Sequence, residues 1–309
     1  MGMLETIRDL EGLAPRRGAS EERAKRYIEA RLTDFGVEYE EQGFENPLPK
    51  YRACRLEADG KAVEAMPTAF RSGYIDGKPL ISSMDVSGRY HEKPNINFNP
   101  YSDSFSLATF YRAPSVAIRR SEVKRIIAAE EVSGKVLVSR QRHRCANIIA
   151  GNAKNPETVL ICHYDSVLNG ALDNASGVAT LLEIAKTGPK KGMMLVFSGC
   201  EELSFDSPVY WGRGYRELER DFKKELKSAK RIVVADMLGS SSPAEITDPA
   251  SRLACFPIKD KKMFERARML SVSGKEWFGV YHSMDDRAEL LKRHLLEEGL
   301  RAVLSLAVG

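Results

Sequence analysis

Residues 158–166 read Thr-Val-Leu-Ile-Cys-His-Tyr-Asp-Ser, an apolar run that ends abruptly in polar side chains. Two further runs, Met193–Ser198 and Arg231–Ala235, have the same character. Near-continuous apolar runs of this length are typical of strands buried on both faces of a sheet. Stretches with helical character lie between and after them: Ser176–Lys186, Tyr210–Ala229 and Arg287–Leu306. The alternation predicts an α/β fold with a largely parallel central sheet.

Each apolar run is followed at once by side chains that can bind metal or carry protons. These side chains are His163 with Asp165, Glu201 with Glu202, and Asp236. A further acid, Asp173, comes just before the helical stretch that begins at Ser176, and His282 ends a later apolar segment. Because ligands gather at the carboxyl ends of strands in open α/β sheets, we expect these groups to share one edge.

Carboxylates that converge at one edge would repel each other and raise each other's pKa unless a positive charge compensates. Divalent metal ions supply that charge, and imidazole together with carboxylate suits zinc. Two such sites that share a carboxylate hold their ions about 3.5–4 Å apart, as in aminopeptidases. The sequence therefore predicts a centre for two Zn²⁺ ions, replaceable by Co²⁺ or Mn²⁺. Its expected ligands are His163, Asp173, Glu202, Asp236 and His282.

Each of these residues alone also has an ordinary structural explanation. A histidine after a strand is commonly a satisfied core group, and the Glu201–Glu202 pair could be a solvated loop. Asp173 could cap the following helix, Asp236 could be a turn residue, and His282 could lie on the surface. The metal prediction therefore depends on the whole set in this order.

The ordered set resembles the co-catalytic zinc aminopeptidases, the metallopeptidase family that includes bacterial leucyl aminopeptidases and glutamate carboxypeptidase II. The matching segments are His163-Tyr164-Asp165-Ser166, the GALDNASG stretch 170–177, Glu201-Glu202-Leu203, Asp236-Met237-Leu238-Gly239 and Tyr281-His282. The resemblance covers most of 143–309 and, less closely, the first 45 residues. It implies a three-layer α/β/α sandwich with a mixed, largely parallel central sheet of the zinc exopeptidase type.

The resemblance also implies how the two ions are shared. His163 and Asp236 would hold one ion, Glu202 and His282 would hold the other, and Asp173 would bridge both. The expected reaction is hydrolysis of the N-terminal residue from a peptide substrate by a metal-activated water.

Two further residues would serve that water and its ligands. Asp165 would accept a hydrogen bond from the imidazole of His163 and fix its tautomer. Glu201 would be the general base, which takes a proton from the metal-bridging water and delivers it to the leaving amine. Neither residue is expected to bind metal itself.

The chain changes character between residues 51 and 142, where short β-like pieces are separated by Gly, Pro, Asn and Asp. This pattern predicts a small, mainly β insertion, faintly similar to the protease-associated insertion of some relatives. The catalytic domain would then be formed by 1–50 and 143–309. An insertion of this kind could act as a lid or as a dimer surface, so the sequence is compatible with a homo-oligomer.

Composition limits the partners and the compartment. With 47 basic and 43 acidic residues the charges are mixed, so we expect no nucleic-acid partner. The five cysteines form no CxxC, which predicts reduced thiols, and we expect no cysteine nucleophile. Residues 1–12 carry charges where a signal peptide needs an apolar run, and no segment reaches the ~18 apolar residues of a membrane span. We therefore expect a cytoplasmic protein with no membrane partner.

Two other functions use the same scaffold. A glutaminyl cyclase-type acyltransferase would need one zinc, and a non-catalytic binding protein, as the transferrin receptor is, would lack ligands. The presence of the complete ligand set disfavours both. Specificity is open because Ser204–Pro208 departs from the family's Gly-rich turn and Ser283 replaces its usual Thr. An aminopeptidase needs an acidic residue near the metals, for which Asp206 and Glu201 are among the candidates, whereas a carboxypeptidase needs a basic residue such as Arg213.

Overall fold

The computed structural model describes residues 2–85, 88–89, 91–189 and 191–308. Within it the chain divides into two units. The first unit is formed by Met1–Asn46, His143–Gly274 and Arg287–Gly309, and the second by Pro47–Arg142 and Lys275–Asp286. The predicted catalytic domain contains all of 143–309, whereas the structure groups Lys275–Asp286 with the second unit.

The secondary structure follows the chain in short elements joined by turns. The helices are α1 Met3–Glu11, α2 Ala19–Asp34, α3 Val123–Ala128, α4 Ser176–Lys186, α5 Arg213–Asp221, α6 Lys223–Ser228, α7 Pro249–Cys255, α8 Lys261–Arg266 and α9 Arg293–Val308. The strands are β1 Tyr39–Glu45, β2 Leu48–Ala58, β3 Lys61–Ala62, β4 Met66–Pro67, β5 Gly73–Asp76, β6 Leu80–Ser82, β7 Asn95–Phe98, β8 Ser115–Ala117, β9 Val132–Gln141, β10 Arg144–Gly151, β11 Thr158–His163, β12 Met193–Ser198, β13 Arg231–Ala235, β14 Pro243–Glu245 and β15 Arg268–Val272.

The first unit is built on a seven-stranded sheet in the order β1-β10-β12-β11-β13-β15-β14. Its four central strands, β12, β11, β13 and β15, run parallel, and the strands outside them pair antiparallel. Strands β11 and β12 are buried along their whole length. The continuous apolar runs therefore mark the centre of a mixed, largely parallel sheet, as predicted.

Helices cover both faces of this sheet. On one face, Val159 and Val196 lie in a buried cluster with Tyr215 and Leu218 of α5. Successive side chains of a strand point to opposite faces, so Thr158 points away from that cluster. Its hydroxyl donates a hydrogen bond of 3.1 Å to the carbonyl oxygen of Ala307 in α9. The three-layer α/β/α fold predicted from the sequence is confirmed.

The second unit is mainly β. One of its sheets has the order β3-β2-β9-β5 and the other β4-β8-β7-β6. The long antiparallel pair β2–β9 forms the first sheet's centre. Ile75, Ile96, Val116 and Val136 bring both sheets into one buried apolar cluster, which α3 completes with Ile126.

Some element boundaries differ from the sequence predictions for local reasons. The helix predicted over Tyr210–Ala229 begins only at Arg213 and is interrupted at Phe222, which has φ −108°. The last helix begins at Arg293, because Ala288–Leu290 forms a separate 3₁₀ turn. Strand β10 is absent from the predicted strands, since polar residues interrupt its apolar pattern.

The prediction that all five cysteines are reduced is wrong for two of them, because Cys145 and Cys200 form a disulfide. Strands β10 and β12 pair antiparallel, with Ile148 opposite Phe197. Continuing that register for three residues places Cys145 opposite Cys200. The pairing depends on strand register between residues 55 positions apart, which the spacing of cysteines alone does not reveal.

No helix among the described residues has the length and apolar character needed to cross a membrane.

Candidate metal centre

His163 ends β11 and lies almost fully buried among three carboxylates. Its Nε2 is 3.1 Å from Asp173 Oδ1 and 3.4 Å from Asp236 Oδ1. Its Nδ1 is 3.5 Å from Asp165 Oδ1 on the opposite side of the ring. One ring nitrogen therefore points at the two predicted ligands while the other points at the residue predicted to orient it.

Asp165 has a second set of contacts that the sequence did not suggest. Its Oδ1 accepts a hydrogen bond of 2.9 Å from the backbone N–H of Glu201, and its Oδ2 accepts one of 2.9 Å from that of Glu202. A single carboxylate thus holds the turn after β12 while it also faces His163. Because the backbone of both glutamates is fixed in this way, their neighbouring side chains can point in different directions.

The turn that carries Asp173 is fastened to the end of β13. The Asn174 side chain donates a hydrogen bond of 3.0 Å to the carbonyl oxygen of Ala235. The Ser176 hydroxyl accepts one of 2.8 Å from the N–H of Leu238. These bonds bring Asp173 next to Asp236. The sequence indicated the role of Asn174 in fastening this turn only through its position beside Asp173 in the motif.

Asp173 is shared between two groups of candidate ligands. Atoms of His163, Asp173 and Asp236 lie within 4.8 Å of one another, and so do an oxygen of Asp173 and one of Glu202. Asp173 and Glu202 are buried, and the Asp236 side chain is 14% exposed. This sharing is what a bridging carboxylate between two ions requires.

His282 lies in the second unit, where it contacts Tyr281 and Leu107. Its ring stacks on Tyr281 with centroids 3.9 Å apart, and its carbonyl oxygen accepts a hydrogen bond of 2.9 Å from Leu107 N–H. Its Nδ1 is 3.4 Å from the carbonyl oxygen of Leu107. The residue is nearly buried at 9% exposure, so the surface location considered as its ordinary explanation is excluded.

Burial makes this group of acids electrostatically costly. Burial raises the pKa of Glu201 well above its usual range; the charge of His163 opposes this shift, and the neighbouring carboxylates Glu202, Asp165 and Asp236 add to it. Burial lowers the pKa of His163, but its hydrogen bonds to the surrounding aspartates outweigh that effect and hold the pKa well above normal. A divalent cation would relieve the repulsion, and the imidazole and carboxylate donors fit zinc.

A thiol also lies beside this centre, which the sequence did not indicate. Cys255 Sγ at the end of α7 is 3.5 Å from Asp236 Oδ2. Burial raises the pKa of this thiol well above its usual range. The Cys255 thiol therefore stays protonated and unreactive beside Asp236 unless a bound metal displaces its proton.

Residues 146–265 match the family model described as Peptidase family M28. No curated protein matches the sequence. The whole chain is similar in fold to BSAP, a zinc aminopeptidase from Bacillus subtilis, with 17% identity and a TM-score of 0.73 over 99% of this chain and 93% of that one. An aminopeptidase from Aneurinibacillus sp. strain AM-1 is 21% identical, with a TM-score of 0.63 over 99% of this chain and 92% of that one. A glutaminyl cyclase from Porphyromonas gingivalis is 14% identical, with a TM-score of 0.56 over 99% of this chain and 96% of that one.

Proposed function

We propose that this chain, whose residues 146–265 match Peptidase family M28, is a zinc metallopeptidase and, more specifically, a dinuclear aminopeptidase that removes N-terminal residues from peptides. The proposal rests on one observation: the buried His163 Nε2 lies within 3.4 Å of carboxylate oxygens of Asp173 and Asp236, and Asp173 also lies close to Glu202. These four residues would hold the ions, with Asp173 between them. His282 would be the fifth ligand, which follows from the sequence motif alone.

Bound zinc supplies a Lewis acid and lowers the pKa of the water that attacks the peptide. Glu201 would accept the proton of that water and return it to the leaving amine. Asp165 would keep Glu201 in place through the backbone N–H that it binds, and would keep the Nδ1 proton of His163 turned away from the metal. This leaves Nε2 of His163 free to act as an electron-pair donor.

The ion pairs around Arg213 bear on both residues that were considered for substrate recognition. Arg213 Nη1 is 3.1 Å from Asp206 Oδ1, and its Nη2 is 2.6 Å from Glu217 Oε1. Arg216 Nη2 makes a further ion pair of 2.8 Å with Asp206. Because two carboxylates compensate the Arg213 charge, it is a poor candidate for binding a substrate carboxylate. The same ion pairs engage Asp206 with two arginines, so Asp206 is a poor candidate for binding a substrate amine.

The test is a panel of amino-acid anilides and short peptides, assayed with the metal-free protein and after addition of zinc or cobalt. We expect release of the free N-terminal residue only when metal is added. Peptides blocked at the carboxyl end should be cut as well as free ones, whereas N-acetylated peptides should not. Cleavage of N-acetylated peptides from their carboxyl end would contradict the proposal.

The likeness to a glutaminyl cyclase makes that activity the second candidate. It is distinguished by its product, because cyclisation of an N-terminal glutamine releases ammonia and leaves every peptide bond intact. A glutaminyl peptide in the same panel therefore separates the two. Ammonia release without a free amino acid, together with one zinc per chain, would favour the cyclase.

A further inference from the structure

A second cluster of metal-binding side chains lies in the first unit and shares no residue with the candidate ligands described above. It consists of Glu21 in α2, His143 just before β10, Cys145 in β10, and Cys200 in the turn after β12. One donor atom from each of the four lies within 4.8 Å of the others. None of the four belongs to the motifs from which the catalytic residues were predicted.

Glu21 is the centre of this cluster. Its Oε2 is 2.7 Å from His143 Nε2, 3.5 Å from Cys200 Sγ and 3.9 Å from Cys145 Sγ. In tetrahedral zinc sites, Zn–N and Zn–O bonds of about 2.0–2.2 Å and Zn–S bonds of about 2.3 Å place neighbouring donors roughly 3.3–3.8 Å apart. The three distances from Glu21 Oε2 lie within about 0.6 Å of that range, and the two sulfurs would have to move apart to reach it once the bond between them is reduced.

Glu21 is a buried carboxylate with few partners of opposite charge. The residue is 2% exposed, and among the described residues its ion-pair partner is His143 alone. Its Oε1 accepts a hydrogen bond of 2.8 Å from the backbone N–H of Cys200. A Cβ on Gly199 would lie 2.8 Å from that oxygen, so the glycine leaves the space that the carboxylate occupies.

We propose that Glu21, His143, Cys145 and Cys200 form a structural Zn²⁺ site that is available when the Cys145–Cys200 disulfide is reduced. Two thiolates, an imidazole and a carboxylate form a closed four-ligand set of the kind used in structural zinc sites, whereas the candidate catalytic centre contains nitrogen and oxygen ligands. The site would fix the turn that leads into Glu201. This inference is independent of the proposed peptidase activity.

The disulfide and the zinc site are two redox states of the same residues. A dithiol reductant supplies two electrons and two protons, becomes a disulfide itself, and leaves Cys145 and Cys200 as thiols. Zn²⁺ then displaces the two thiol protons, which pass to solvent, and forms two Zn–S bonds. Oxidation of the thiolates by a disulfide oxidant reverses the sequence and releases the ion.

The first test compares the zinc content of the full-length protein in its two redox states. One sample is reduced with dithiothreitol, which is removed anaerobically because it competes for metal, and the other keeps the disulfide. Both are saturated with zinc, freed of excess metal and measured by elemental analysis. Cys54, Cys162 and Cys255 are free thiols in both samples, so only the cluster differs. We expect the reduced protein to hold one more zinc per chain, and equal contents would overturn the proposal.

The second test locates the extra ion with cobalt. Co²⁺ bound by thiolates gives a near-ultraviolet sulfur-to-metal charge-transfer band, which carboxylate and imidazole ligands do not give. We expect this band in the reduced protein and no more than half its intensity in Cys145→Ser, where Cys200 is the one thiolate of the cluster that remains. The matched control is Cys255→Ser, because Cys255 lies beside Asp236. Loss of the band in the control and its persistence at full intensity in Cys145→Ser would place the thiolate ligand at Asp236 and overturn the proposal.

Glu21→Gln covers the case in which a cysteine variant fails to fold. Glutamine can still accept the hydrogen bond from Cys200 N–H, and both cysteines remain, so mass analysis after alkylation reports whether the disulfide forms. We expect this variant to form the disulfide when oxidised and to lack the extra zinc when reduced. Retention of the extra zinc would remove Glu21 from the site.

Discussion

The first unit contains two buried clusters of metal-binding side chains that differ in how the chain assembles them. The candidate catalytic cluster takes its residues from the carboxyl ends of parallel strands and from the turn before α4. The Glu21 cluster combines a helix, an antiparallel strand and the turn after β12. The first offers carboxylates around one imidazole, and the second adds two sulfurs. The same sheet therefore supports one oxygen-rich cluster and one sulfur-containing cluster.

The two clusters meet in one short turn. Cys200 belongs to the Glu21 cluster, whereas Glu201 and Glu202, which follow it directly, belong to the candidate catalytic cluster. Glu21 binds the N–H of Cys200, and Asp165 binds those of the next two residues. Three successive backbone groups are thus held by side-chain carboxylates, which fixes Glu201, the proposed general base, more firmly than the strand end alone would.

The largest expected effect is a loss of turnover in a variant that still binds zinc. Glu201→Gln should retain zinc but lose about 10²–10⁴-fold in kcat, because general-base catalysis contributes that much. Steady-state kinetics and elemental analysis on the same sample measure both. Glu219→Gln is the control, since Glu219 is another buried glutamate that binds the backbone N–H groups of Lys259 and Asp260. An unchanged rate in Glu201→Gln would remove that residue from its role.

The second prediction tests whether the clusters bind metal separately. In the oxidised protein, where Cys145 and Cys200 are joined, Asp173→Ala should lower the zinc content by at least one ion per chain because it removes the shared ligand. His163→Ala should act in the same direction. Asp221→Ala provides the control, as this acid pairs with Arg220 in α5. Zinc contents equal to that of the unmodified protein in both ligand variants would refute the assignment.

A smaller effect is expected for the residue that supports the turn. Asp165→Asn leaves one carboxamide oxygen to accept a single N–H, so either Glu201 or Glu202 loses its backbone partner. Changes of residues that orient ligands typically cost 10–100-fold, so we expect kcat/KM to fall by about that factor. The zinc content measured alongside shows whether the loss arises from metal binding or from the position of the base. Full activity would mean that the strand end holds the turn without Asp165.

The fold and most of the candidate catalytic cluster could be predicted because the relevant signals are local. His163, Asp236 and the two glutamates follow apolar runs directly, and parallel strands bring their carboxyl ends to one edge. His282 differs, because it follows a 3₁₀ turn in a segment that groups with the second unit. The position of His282 in the sequence therefore does not predict its position in the structure.

The Glu21 cluster could not be predicted because each of its members looks ordinary in sequence. Glu21 stands in the first turn of α2, where an acid is favoured by the helix dipole whatever its function. Cys145 lies in a strand whose Arg144 and Asn147 interrupt the apolar pattern. The cluster exists only through the antiparallel register of β10 and β12, which depends on long-range pairing.

The smallest expected effect concerns the packing that brings Asp173 to Asp236. A Cβ on Gly177 would meet the Asn174 carboxamide and lie 2.8 Å from the carbonyl oxygen of Ala235. These are the two groups whose hydrogen bond fastens the turn to β13. Gly177→Ala should therefore destabilise the protein by about 1–3 kcal/mol, the usual cost of overpacking, with a lower melting temperature.

Gly299→Ala is the matched comparison, because this glycine lies inside α9 and its Cβ would meet the Leu238 side chain at an ordinary 3.4 Å. Removing a glycine from a helix interior should stabilise the protein by roughly 0.5–1 kcal/mol. Thermal unfolding of the two variants, each with its zinc content measured, should give shifts of opposite sign. If Gly177→Ala melts as high as Gly299→Ala and keeps its zinc, the bond between Asn174 and Ala235 does not position Asp173.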